Sequence, residues 1–160
     1  MGPSINPRAF RLVMNWWPPF RGAGIRVREI APDWSRARVE LRAGLFNRNF
    51  VGTHFGGSLF MMTDPFYMLM LLHALGRDYL VWDQYAAIEY LRPGRGTVTA
   101  EFALDAARLK QLRRDAADGS KLLPEFEVEI RDASGVAIAR VHKRLYVRLK
   151  ARARGGASPT

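Results

Sequence analysis

The chain has 160 residues, 48% hydrophobic and 25% charged, enough to bury the core of one globular domain. It has no cysteine, which excludes disulfides, thiolate metal ligands and a cysteine nucleophile. The formal net charge of +10 suits an anionic partner, but helix-turn-helix, zinc-ligand and aromatic RNA-binding motifs are lacking, so nucleic acid is not expected.

In chain order, Arg8–Trp17 carries Phe10, Val13, Met14 and Trp17 at helical spacing, and Pro18-Pro19 are expected to stop the helix. The paired Trp16 and Trp17 are expected to seal one end of the core, a membrane-surface helix being the other reading. Residues 1–18 lack a long apolar run and are broken by Pro3, Pro7 and Pro18, so no signal peptide is expected. A cysteine-free chain of this kind fits a reducing, cytoplasmic setting. Ile25–Ile30 and Ser35–Leu41 read as a hairpin across Pro32-Asp33, because Ala37, Val39 and Leu41 alternate with Arg36, Arg38 and Glu40.

A polar loop, Arg42–Gly52, leads to a helix from about Gly56 to Gly76 that is apolar on nearly every side, which means burial all round. Its apolar segment, Leu59–Leu75, is short of the ~20 apolar residues of a membrane span and is interrupted by Asp64, Pro65 and His73, so no stable membrane insertion is expected. Pro65 predicts a kink. Asp64 is a lone acid among Phe60, Met61, Met62, Phe66, Tyr67 and Met68. Such an acid is costly unless paired or used, and its apolar neighbours would strengthen it as a base. The other reading is an acid that points into solvent.

Tyr79–Leu91 alternates, with Leu80, Trp82, Ala86, Ile88 and Tyr90 on one side and Asp83, Tyr85 and Glu89 on the other. Pro93–Gly96 is expected to turn it into Thr97–Leu104 as a second hairpin. Asp105–Ala117 reads as a surface helix ended by Gly119. Glu125–Arg131 and Val136–Leu149 complete the strands around the turn at Asp132–Gly135. Residues 1–150 are thus one α+β domain with an N-terminal helix at 8–17. Its antiparallel sheet wraps around one long buried helix, and the tail at 151–160 is expected to be disordered. A single wrapped sheet with free edges predicts dimerisation. His54, His73 and His142 lack metal-ligand spacing, Ser58 lacks a nucleophile elbow, and Asp83 and Glu89, ~20 Å apart along one strand face, are not an acid/base pair.

Asn49, Gly52-Thr53, Gly56-Gly57 and Asp64 stand in a strand–turn–strand, loop, helix and four-strand setting over Gly22–Leu149. This pattern resembles the hotdog-fold thioesterases, in particular the phenylacetate-pathway type, and within that superfamily the DUF4442 branch. The turns at Leu91–Gly96 and Gly135 are also similar to that branch. The resemblance implies hydrolysis of an acyl thioester, carried on coenzyme A or a carrier protein. No cofactor is implied beyond the coenzyme A of the substrate. A homodimer or tetramer is implied, with Asp64 of one subunit completing the site of the other.

Asp64 would act as general base on water or as nucleophile. The Gly57 amide would serve the oxyanion, Gly56 permitting close approach, and Asn49 would hold water or the carbonyl. Thr53 and His54 could assist, Phe55, Met61 and Met68 would contact the acyl group, and Arg92 and Arg95 would pair with phosphates or remain solvated turn arginines. The chain departs from the phenylacetate type at one point: the histidine that there precedes the Gly pair is Phe55 here, and His54 lies one residue earlier. One residue at a helix start turns a side chain by ~100°. A non-catalytic acyl-binding module is therefore the alternative, and an acyl-thioester hydratase or dehydratase is disfavoured by Phe55.

Overall fold

The structure is a computed structural model that describes residues 6–45 and 47–151. All but Ala151 of the expected tail at 151–160, and the terminus at 1–5, lie outside the described residues. Two helices open the chain, α1 (Pro7–Trp16) and α2 (Pro18–Ala23). Pro18 and Pro19 do end α1, but they also begin α2, because a proline in a first helical turn gives up only an amide that would go unbonded there. The expectation that both tryptophans seal the core fails: Trp16 is 69% and Trp17 46% exposed. Phe20 and Met14 do the packing instead.

Strands β1 (Ile25–Ile30) and β2 (Arg36–Arg42) form the expected hairpin. Their alternation buries Ala37, Val39 and Leu41 and leaves Arg36 and Arg38 in solvent. After the loop come α3 (Gly56–Met61) and α4 (Phe66–Leu75), then β3 (Tyr79–Tyr90), β4 (Thr97–Ala103), α5 (Ala106–Asp115), β5 (Glu125–Asp132) and β6 (Ala137–Leu149). All six strands make one antiparallel sheet in the order β1-β2-β4-β5-β6-β3. The sheet wraps around α3–α4, whose Met62, Phe66, Met70 and Leu71 are fully buried. Each such burial contributes about 1.5–3 kcal/mol. The Phe66 and Tyr67 rings lie 4.9 and 5.3 Å from Phe102 on β4, and the Tyr67 hydroxyl donates to the Glu127 carbonyl at 3.0 Å. By length and composition Gly56–Leu75 could cross a membrane; here it is the core helix.

Three expectations need correction. The long central helix over Gly56–Leu75 is present, and the kink expected at Pro65 is sharper than a bend. The helix breaks at Met62–Pro65 into two helices, because the proline at the head of α4 cannot donate to the turn before it. Asp64 stands in that break, not on a buried helix face, and its side chain is 59% exposed. The second hairpin does not form: β3 pairs with β6 at the far edge, and β4 lies between β2 and β5. The segment between β3 and β4 runs across the end of β6, where the amides of Leu91 and Arg92 both donate to the Ile138 carbonyl. Gly94 is buried there, and a Cβ on it would sit 2.9 Å from Ile138 Cγ2.

The third correction concerns the faces of β3. A β-bulge between Asp83 and Tyr85 inserts Gln84, so the register changes in mid-strand. Asp83 is paired with buried Leu145 and faces inward, whereas Trp82 is paired with Tyr146 and stacks on it outside, ring centroids 4.0 Å apart. Past the bulge Glu89 is paired with Arg140 on the outer face, so Asp83 and Glu89 are on opposite faces.

Candidate functional site

The loop before α3 is held by one asparagine. Asn49 Oδ1 accepts from the amides of Val51 (3.1 Å) and Thr53 (3.0 Å), and its Nδ2 donates to Thr53 Oγ1 (2.8 Å) and to the His54 carbonyl (3.3 Å). The Asn49 amide also donates to the Thr53 carbonyl, closing a tight loop over Gly52, whose φ of 78° lies in the left-handed region. Both ends of the Asn49 carboxamide are thereby used within the loop.

His54 follows and points inward. It is buried, its Nε2 lies 3.0 Å from the Gly96 carbonyl, and its amide donates to the Gly94 carbonyl. A carbonyl only accepts, so Nε2 carries the proton and Nδ1 is bare, buried and without a partner among the described residues. Burial pushes the imidazole pKa below its ordinary 6.5; the Gly96 bond opposes this and Arg48 adds to it. A histidine that stays neutral in the fold loses ground as the unfolded chain takes up its proton. Stability contributed by His54 is therefore full above 6.5 and falls as the pH drops below it, by at most about 1.4 kcal/mol per pH unit. Thermal melts from about pH 7.5 to about pH 5.5 should show a smaller loss for His54→Gln than for wild type. Equal slopes would refute this.

Phe55 begins α3 without any side-chain cap. The amides of Gly56 and Gly57 have no acceptor among the described residues. Both positions are tight. A Cβ on Gly56 would sit 2.7 Å from Tyr90 Oη, and one on Gly57 2.5 Å from the exposed Phe55 ring. The Tyr90 hydroxyl and the Phe55 ring thus crowd the two glycines whose amides are free. Thr53 is buried, and Met61 and Met68 are half-buried against the core. Arg92 and Arg95 are exposed and form no ion pair among the described residues.

Asp64 has a partner that sequence reasoning missed. Lys143 on β6 is 1% exposed, and its Nζ donates to the Asp64 carbonyl (2.5 Å), to Asp64 Oδ1 (3.2 Å) and to Asp83 Oδ1 (2.8 Å). The ammonium joins the helix break to β3. Burial raises the Asp83 pKa above its ordinary value, Lys143 opposes that, and Asp64 adds to it. The signal was present: Ala139, Val141, Lys143, Leu145 and Val147 form the inward row of β6, and Lys143 alone in it is charged. Among the described residues no cluster of His, Asp and Glu could hold a metal ion.

The model of a family described as a domain of unknown function, DUF4442, matches residues 7–147. No curated protein matches the chain. Among solved structures, a protein of unknown function from Pseudomonas aeruginosa, described as a probable thioesterase, is 21% identical. The match covers 91% of this chain and 97% of that one, with a TM-score of 0.78. A thioesterase from Haemophilus influenzae is 13% identical over 91% of this chain and 92% of its own, TM-score 0.65. A protein of unknown function from Chlorobaculum tepidum is 15% identical over 92% and 98%, TM-score 0.69. These likenesses carry the fold: it is the hotdog arrangement expected from the sequence.

Proposed function

The chain belongs to the DUF4442 family, and on that premise we propose that it hydrolyses acyl thioesters, acyl-CoA above all, at a site completed by a second copy of itself. The observation that carries this reading is the pairing of free amide donors at Gly56-Gly57 with a carboxylate fixed by a buried ammonium at the helix break. Water attacks the thioester carbonyl carbon while Asp64 takes its proton. The oxyanion that forms is held by the Gly57 amide. The C–S bond then breaks, the thiol leaves with the proton, and a carboxylic acid remains. No cofactor is needed, and coenzyme A enters only as the carrier.

Lys143 is a positioning residue here: it sets the backbone and the carboxylate of Asp64 and stays out of reach of substrate. The free edge of β3 supports the shared site. It is 12 residues long and carries exposed Leu80, Trp82 and Tyr85, which a lone sheet leaves open to pairing. Exposed Arg92 and Arg95 suit the phosphates of coenzyme A, Met61 and Met68 the acyl chain, and the reaction suits the cytoplasm. A second reading, acyl binding without turnover, is favoured by the use of Asn49 within its own loop and of His54 against the Gly94 and Gly96 carbonyls.

Free-thiol release by the wild-type chain across acyl-CoAs of different length and aryl content tests the proposal. Release from at least one thioester is the expected result. Release from none, with acyl-CoA bound, would replace hydrolysis by the second reading.

A further inference from the structure

Helix α1 is apolar on two faces. Phe10 and Met14 face the core, and Asn15 pins the helix to β1 by accepting from the Val27 amide (2.8 Å) and donating to the Val27 carbonyl (3.0 Å). On the other side Ala9, Leu12, Val13 and Trp16 are exposed, and Leu12, Val13, Trp16 and Trp17 line one continuous shallow depression. An exposed patch of that composition on a helix held rigidly to the sheet indicates something that covers it.

The charges around the patch indicate what. Residues 1–28 contain five arginines and no acid. Arg28 is paired with Glu40, but Arg8, Arg11 and Arg21 meet no carboxylate among the described residues. Arg8 borders the apolar stripe, one turn before Leu12, and the Arg21 guanidinium lies 4.6 Å over the Trp16 ring. Tryptophan with an apolar body and a polar N–H, rimmed by arginine, fits the boundary between headgroups and acyl chains. A second copy of the chain fits less well. The long unpaired edge is β3, and α1 packs on β1 at the opposite end of the sheet.

We propose that the outward face of α1 docks the protein reversibly onto an anionic lipid surface. Leu12, Val13, Trp16 and Trp17 sit at the acyl boundary, roughly 5–10 Å deep, and Arg8 and Arg21 lie on the headgroups. This inference does not depend on the reaction proposed above.

The test is co-sedimentation of the full chain with vesicles of phosphatidylcholine alone or mixed with phosphatidylglycerol. Binding to the mixed vesicles is expected, at least about tenfold weaker to phosphatidylcholine alone and weakened by salt. Leu12→Ser with Trp16→Ser should reduce binding about tenfold or more, and Arg8→Gln with Arg21→Gln about tenfold. All four side chains lie on the surface, so thermal melts of both variants should match wild type. No binding to the mixed vesicles would overturn the proposal. So would binding indifferent to the apolar pair, which would be adsorption of a basic protein by charge alone. Dissociation of an oligomer by the apolar pair, read by light scattering, would assign the patch to a second copy and overturn it too.

Discussion

Asp64→Ala is expected to lower kcat for thiol release by about 10²–10⁴-fold, the range a positioned general base supplies, with KM little changed. The substitution removes the group that takes the proton from water and leaves the Gly56 and Gly57 donors in place. It should hardly affect folding. The side chain is 59% exposed, Lys143 keeps Asp83 as partner, and its bond to the residue-64 carbonyl is made by backbone. Melting within about 2–4 °C of wild type is therefore expected. Asp64→Asn separates shape from charge: it keeps the size of the side chain and loses the base, so it should be as inactive as the alanine variant. Hydrolysis that survives Asp64→Ala in a folded protein would rule out this carboxylate as base.

What the sequence shows of such a fold is the burial of each face. What it conceals is which strands lie side by side. The alternation of Ala37, Val39 and Leu41 predicts β2 correctly because nothing interrupts it. The same reasoning fails in β3, where Gln84 adds one residue and exchanges the faces. It also fails for the second hairpin, since alternation is indifferent to whether β4 or β6 is the neighbour. In the candidate site, Gly56-Gly57 and Asp64 were legible as residue types at a spacing. The role of Lys143 was not, because its partners are 60 and more residues away and meet it only when α4, β3 and β6 assemble. Trp16 shows the converse error: an aromatic pair suggests a sealed core, but α1 already had Phe10 and Met14 for that.

Lys143→Met is expected to damage both stability and turnover, and the two can be separated. Removing the ammonium leaves Asp83 with a carboxylate that burial disfavours and leaves the Asp64 carbonyl without its donor. Breaking such a pair costs about 3–5 kcal/mol, and the lower end applies because Asp83 is 31% exposed. About 3 kcal/mol lowers Tm by roughly 6–12 °C for a chain of this size. The loss should depend on pH with a definite sign. Without Lys143 only influences that raise the Asp83 pKa remain, namely burial and Asp64. The folded state then keeps its proton to higher pH than the unfolded chain, whose ordinary value is 3.8. Stability of the variant falls as pH rises above 3.8, so its deficit against wild type should shrink as the pH is lowered from neutral toward 3.8. Lys143→Met combined with Asp83→Leu replaces the ion pair by apolar volume, which restores most of the stability in comparable cases. It does not restore the clamp on Asp64. A double variant that melts like wild type yet keeps kcat reduced at least about tenfold, with KM unchanged, would mark Lys143 as a positioning residue for the base. Recovery of kcat together with stability would reduce Lys143 to a structural ion pair.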